Sequence, residues 1–166
     1  MNEVSTENAK TLFKDLCARC PYGVRGQVYL KVPRIVDWHL VDQEIVIEVK
    51  LLGIREESLI ITAVDENGDI VDELDNNRIL VEDTYEITCF NFKPYLRSMD
   101  DMTEEEKKEY RKVCELDTEI LAKHPMNGEP FPALYNSIDW LNKKMFDYKG
   151  LIEKGLAIEA PKGMYN

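Results

Sequence analysis

Val28-Tyr-Leu-Lys-Val32 and Ile45-Val-Ile-Glu-Val-Lys-Leu51 decide the fold class, because in both stretches apolar residues recur at every second position. A period of two sends successive side chains to opposite faces of an extended chain, so each reads as a half-buried strand. Working outward, further strands are expected at Leu59 to Val64, Ile70 to Leu74, Arg78 to Val81 and Tyr85 to Phe90. The intervals between them are too short for crossover helices, so antiparallel pairing follows. Asn67-Gly68 is a strong hairpin signal, since both central residues of a type I′ turn need positive φ, and Asp75-Asn76-Asn77 is a weaker one. Five to six short strands suggest a curled antiparallel sheet or a small barrel over the strand region 22–91.

Helical periodicity flanks this region. Ala9, Leu12, Phe13, Leu16 and Cys17 recur at steps of three and four behind the caps Ser5 or Thr6, which predicts a helix over 5–19 whose stripe covers the sheet. Cys20-Pro21 ends it, because the residue before proline is pushed out of helical geometry. In the helical region 100–146, Thr103 and Glu106 form a capping box, with Asp100, Asp101, Glu104 and Glu105 where the helix dipole favours anions. Glu104 with Lys108 and Glu119 with Lys123 are i,i+4 pairs carrying that helix to about Lys123. A last helix over Ala133 to Phe146 aligns Leu134, Ile138, Leu141 and Met145 for docking on the sheet. Gly150, Gly155 and Pro161 break the remainder, 147–166, into turns around Leu156 to Ile158. The expectation is one α+β domain over 1–166.

The 166 residues are 44% apolar and 32% charged, a composition of globular proteins with one core. No stretch approaches the roughly 18 apolar residues that span a bilayer, and Met1 to Lys14 lacks the order of a signal peptide, so no membrane and a cytoplasmic location are expected. Cys17, Cys20, Cys89 and Cys114 read as reduced thiols. The net charge of -11 is concentrated: Asp65 to Glu86 holds nine acids and one arginine, a net of -8. Such a surface repels phosphate backbones and argues against direct nucleic-acid binding.

Few residues suggest chemistry. Cys17-Ala-Arg-Cys20 has knuckle spacing, yet a zinc site needs four ligands and a redox pair should open a helix rather than close one. Asp65-Glu-Asn-Gly-Asp69 has its glycine fourth, not sixth as in a calcium loop, and reads as a turn. Asp37 and His39 would share a strand face without a nucleophile. No phosphate loop, nucleophile elbow or zinc-protease motif is present, so no catalytic residue, metal or cofactor is assigned. Two segments mix aromatic and basic residues: Pro21-Tyr-Gly-Val-Arg-Gly26 and Phe92-Lys-Pro-Tyr-Leu-Arg97. They either line a binding surface or form structural loops outside the regular elements.

Asp15-Leu-Cys-Ala-Arg-Cys-Pro-Tyr-Gly-Val24, Lys93-Pro-Tyr-Leu-Arg-Ser-Met-Asp-Asp-Met-Thr-Glu-Glu-Glu106, Ile138-Asp-Trp-Leu-Asn142 and Phe146-Asp-Tyr-Lys-Gly-Leu-Ile152 to Ala157 carry a resemblance. They resemble a group of proteins encoded by prophages and mobile elements of gut anaerobic bacteria, a group with no assigned activity. The resemblance leaves out the strand region from Gln27 to Glu86, and in that group an apolar residue commonly stands where this chain has Cys20. It implies a phage accessory protein that binds a host protein or a small anionic signalling ligand, as an anti-defence factor. The candidate binding set is Tyr22, Arg25, Lys93, Tyr95, Arg97, Asp147, Tyr148 and Lys149. Two alternatives are an acidic nucleic-acid mimic that inhibits a DNA-binding host protein, and a metal-dependent phosphoesterase-type enzyme.

Overall fold

The computed structural model describes residues 6–36, 39–55, 58–65, 67, 85–88, 91–123 and 135–165. Helix α1 (Thr6–Arg19) closes in a 3-10 turn, Cys20–Tyr22, that Gly23 ends in the left-handed region at φ 74°. Strands β1 (Arg25–Val36), β2 (His39–Arg55), β3 (Ser58–Ala63), β4 (Tyr85–Thr88) and β5 (Phe92–Leu96) follow, then α2 (Glu104–Lys123), α3 (Tyr135–Lys143) and β6 (Ile158–Glu159). The fold is α+β: an N-terminal helix, an open sheet ordered β4-β3-β2-β1-β5-β6, and two C-terminal helices.

The alternation quoted above becomes a hairpin in which Val28 opposes Ile47 and Leu30 opposes Ile45. The face bearing Val28, Val49, Leu51, Leu59 and Ile61 is buried under Ala9, Leu12 and Leu16 of α1, so the helical stripe covers the sheet as its spacing predicts. A bulge between Leu51 and Gly53 turns Leu52 outward. At Gly26 a Cβ would sit 2.4 Å from the Lys93 carbonyl and 2.7 Å from the Phe92 ring, so only glycine lets β5 approach β1.

Four differences from the sequence expectations have physical causes. The sheet does not close into a barrel, because its edge strands β4 and β6 do not pair with each other, and its last pairing is parallel: Tyr95 opposes Ile158 and Leu96 opposes Glu159. Phe92–Leu96 is a strand rather than a loop, and Pro94 is tolerated because the Gly26 rung lies between hydrogen-bonded rungs. Helix α3 packs on α2 and α1 instead of the sheet, with Leu141 beside Met102 and Phe146 and with Ile138 41% exposed. Glu104 takes Lys107 at 2.7 Å as its ion partner rather than Lys108. The capping box forms as expected, Glu106 N–H donating to Thr103 Oγ1 and Thr103 N–H to Glu106 Oε2. The strands expected over 70–74 and 78–81, the Asn67-Gly68 and Asp75-Asn76-Asn77 turns, Asp37, Cys89 and the Lys123 side chain lie outside the described residues. Among the described residues no helix is long and apolar enough to cross a membrane.

Candidate functional site

The candidate residues are built by one unusual turn. Helix α3 ends with Met145 N–H donating to Asn142 O and Phe146 N–H to Leu141 O, the two bonds of a Schellman cap. The left-handed position normally given to glycine is held by Met145 at φ 58°, buried to 1% exposure. Burial of its side chain offsets the left-handed cost of roughly 1–2 kcal/mol. The turn lays Phe146 beside Arg97 in an isolated parallel bridge, with Arg97 N–H donating to Met145 O and Asp147 N–H to Arg97 O.

Two guanidinium groups meet Phe146 from different sides. The Arg97 guanidinium sits 4.2 Å from its ring centroid, and that ring stacks on Trp140 at 5.8 Å. Arg97 is bidentate on Glu106, Nη1 to Oε1 at 2.7 Å and Nη2 to Oε2 at 2.8 Å. The Arg97 hydrogen bond holds the Glu106 carboxyl at about 2, against the opposing pull of its partial burial. Arg19, wholly buried in α1, donates Nη2–H to Phe146 O at 2.8 Å and Nε–H to Asp15 at 2.7 Å. Lys149 completes the group, 3.1 Å from Asp15 Oδ1, and the Tyr148 ring lies under both cations. Arg19 Nη1 has no hydrogen-bond partner among the described residues.

Each expected site residue has its place in this frame. Asp147 accepts from Leu151 N–H and Ile152 N–H, both at 2.8 Å, and caps the turn that Gly155 closes at φ 67°. Tyr148 donates to Asn142 Oδ1 at 3.1 Å, and Tyr22 donates to Asp139. Lys93 and Tyr95 stand apart on the sheet, where Tyr95 Oη donates to Glu48 at 2.6 Å and Gln27 joins both, while Lys93 lies over the Tyr29 ring. Burial and the Glu48 carboxylate push the Tyr95 hydroxyl well above its ordinary range. Arg25 donates to Asp65 O at 3.1 Å. The structure thus gathers Tyr148 and Lys149 around Arg19, spends Asp147 on the following turn, and places Tyr22, the Arg25–Asp65 contact, Lys93 and Tyr95 elsewhere.

Of the set, Arg97 lines a cleft of about 340 Å³ together with Asp101, Thr103, Lys162 and Tyr165. Sequence reading missed Lys162 and Tyr165, which no local pattern distinguishes. It also missed Asp15 as Arg19's partner. The signal was present, because Leu12, Asp15, Leu16 and Arg19 follow steps of three and four, an apolar stripe carrying opposite charges.

Among the described residues no three His, Cys, Asp or Glu side chains stand close enough to hold a metal. Burial and then the neighbouring Cys17 push the Cys20 thiol up, away from the thiolate that redox or metal chemistry uses. Asp65 Oδ1 accepts from Asn67 N–H at 2.9 Å, the local bond of a turn. Comparison with family models, with curated proteins and with solved structures finds no match to the chain.

Proposed function

We propose that the protein acts by stoichiometric binding, capturing a small anionic ligand in the cleft between Arg97 and residues 160–165. The observation that supports this reading is the balance of spent and unspent groups there. Arg97 commits Nη1 and Nη2 to Glu106 but makes no bond from Nε to a described residue, and the exposed Lys162 ammonium has no partner among them. The Thr103 hydroxyl accepts from Glu106 N–H and keeps its own hydrogen to donate. Three donors, two of them cationic, therefore converge on a space large enough for a small molecule, with Asp101 available for a ligand donor.

The setting implied by the resemblance, a phage accessory protein that blunts a host defence by removing a signalling ligand, belongs to the same proposal. Calorimetric titration with inorganic phosphate, pyrophosphate and nucleoside mono- and diphosphates tests it. Saturation at one ligand per chain, no turnover, and loss of about tenfold in affinity in Lys162→Ala are expected. Conversion of ligand by trace protein would overturn it. So would capture of a DNA-binding host protein that disappears in Asp69→Asn/Asp72→Asn/Asp75→Asn but survives Lys162→Ala, because the acidic surface would then carry the function.

A further inference from the structure

One backbone amide of the ladder between β1 and β5 is taken by a side chain. It runs through Val28 opposite Phe92, Gln27 opposite Lys93 and Gly26 opposite Pro94, with Tyr29 N–H donating to Asn91 O at 3.0 Å. Hydrogen-bonded pairs alternate in an antiparallel ladder, so the next bonded pair is Arg25 with Tyr95. One of its two bonds is direct, because the Gly26–Pro94 rung, in which proline has no N–H, is held by Tyr95 N–H to Arg25 O and Gln27 N–H to Lys93 O. Arg25 N–H donates to the Tyr165 hydroxyl at 3.1 Å, and that hydroxyl donates to Tyr95 O at 3.2 Å. A side chain from a distant segment stands in for the other bond of that pair.

The segment that delivers Tyr165 is held at two ends. At one end Ala160 N–H donates to Leu96 O at 2.8 Å, continuing the β6 pairing; at the other is the Tyr165 hydroxyl. Between them Pro161, Lys162 and Gly163 are exposed, and their turn is closed by Met164 N–H donating to Pro161 O at 3.1 Å. Gly163 takes φ 89°, open to glycine and strained for other residues. Ala160, Pro161, Lys162, Gly163 and Tyr165 form one wall of the cleft, and Arg97, Asp101 and Thr103 form the other.

We propose that residues 160–165 are a strap, latched by the Tyr165 hydroxyl in the β1–β5 ladder, whose release opens the cleft and whose closure retains what is bound. The gating role rests on the reading that the cleft binds an anion. Release leaves Arg25 N–H and Tyr95 C=O facing each other across an antiparallel rung, so they can pair directly instead of remaining unsatisfied, and the packing lost is that of the Tyr165 ring against the core. Burial raises the Tyr165 hydroxyl to about 12, so it stays protonated and able to donate at neutral pH. A ligand touching both walls binds the closed form better than the open one, and by linkage it slows opening.

Hydrogen exchange of the full chain, with limited trypsin cleavage after Lys162, tests the strap. In Tyr165→Phe, which keeps the ring and removes the latch, the amides of Lys162 to Tyr165 should exchange about tenfold faster, as losing two hydrogen bonds implies, while α1 and β2 amides are unchanged. Cleavage after Lys162 should accelerate in parallel. Unchanged strap exchange in Tyr165→Phe, with acceleration only in Tyr165→Ala, would overturn the latch by making ring packing the anchor. Acceleration spread equally over the sheet would overturn it as a local device. Pyrophosphate added to the unmodified protein should slow strap exchange. If it does not while Tyr165→Phe still accelerates exchange, the reading of the cleft as an anion site fails and the latch stands.

Discussion

Two clusters in this molecule have nearly the same composition and opposite economies of charge. Around Arg19, a guanidinium, a carboxylate, an ammonium and a tyrosine are locked on one another: Asp15 and Arg19 are wholly buried, and Lys149 reaches the same carboxylate. Around Arg97, a guanidinium, a carboxylate and a tyrosine are also engaged, but Lys162 in the cleft wall and Arg97 Nε have no partners among the described residues. The difference teaches that residue type does not separate a structural group from a ligand-facing one. Unspent donors that line open space do, for the one left in the Arg19 cluster, Nη1, is buried.

Breaking the first cluster should give the largest effect. Asp15→Ala leaves Arg19 buried without its carboxylate, and removing one partner of a buried pair costs about 3–5 kcal/mol. Urea unfolding of Asp15→Ala and of Asp15→Leu/Arg19→Met should show most of the loss recovered in the double variant. A single variant within 1 kcal/mol of the parent would show that the pair is not the lock it resembles.

Glu106 gives the next effect, and it depends on pH. Its carboxyl is held at about 2 by the Arg97 hydrogen bond, below its ordinary 4.5, so its contribution is complete above the unfolded value and is lost as pH falls from 4.5 through 2. The shift corresponds to about 2 kcal/mol after allowance for solvent screening. The difference between the unfolding free energies of the parent and Glu106→Gln, followed from pH 6 to pH 2, should shrink over that window. A difference that stays constant would place the Glu106 interaction outside the ion pair.

Asp117 tests whether α3, which carries the turn linking both clusters, is fixed from outside its own sequence. Buried in α2, it accepts from Ser137 N–H and Asn136 Nδ2, each at 2.9 Å, and so caps a neighbouring helix. Burial pushes its carboxyl up, but the bonds from Ser137 and Asn136 outweigh that and hold it low, so this cap too weakens as pH falls. Asp117→Ala should cost about 1–2 kcal/mol, the value of a helix cap, in urea unfolding at neutral pH.

What was legible in the sequence is what local periodicity encodes. The alternation in β1 and β2, the stripe of α1 and the Thr103–Glu106 box each repeat within a few residues, and each formed as read. The rest depends on partners far along the chain. Met145 carries no glycine signal because its left-handed conformation is held by burial, and nothing local to Phe92–Leu96 shows that Gly26 makes room for it as a strand. Tyr165 lies 140 residues from the Arg25 amide it caps, a separation at which spacing says nothing. Of the candidate site, Arg97 was found from composition, whereas Lys162, in a short exposed turn, matched no pattern.

The smallest expected effect is the sharpest comparison, because it uses the same residue type in both clusters. Lys149 is 30% exposed and ion-paired to a buried carboxylate, so Lys149→Ala should cost about 1 kcal/mol, near the upper end for a partly solvated pair. Lys162 is exposed and touches no described carboxylate, so Lys162→Ala should change stability by less than about 0.5 kcal/mol. Affinity should reverse the order: Lys162→Ala weakens pyrophosphate binding about tenfold, and Lys149→Ala leaves it unchanged, since the Asp15 carboxylate neutralises that ammonium. Paired urea unfolding and calorimetry on the two variants give four numbers. If Lys162→Ala proved the more destabilising, the strap would be held by charge and not by the Tyr165 hydroxyl. If Lys149→Ala proved the more damaging to binding, the anion site would belong to the Arg19 cluster, where Arg19 Nη1 is the donor without a partner among the described residues.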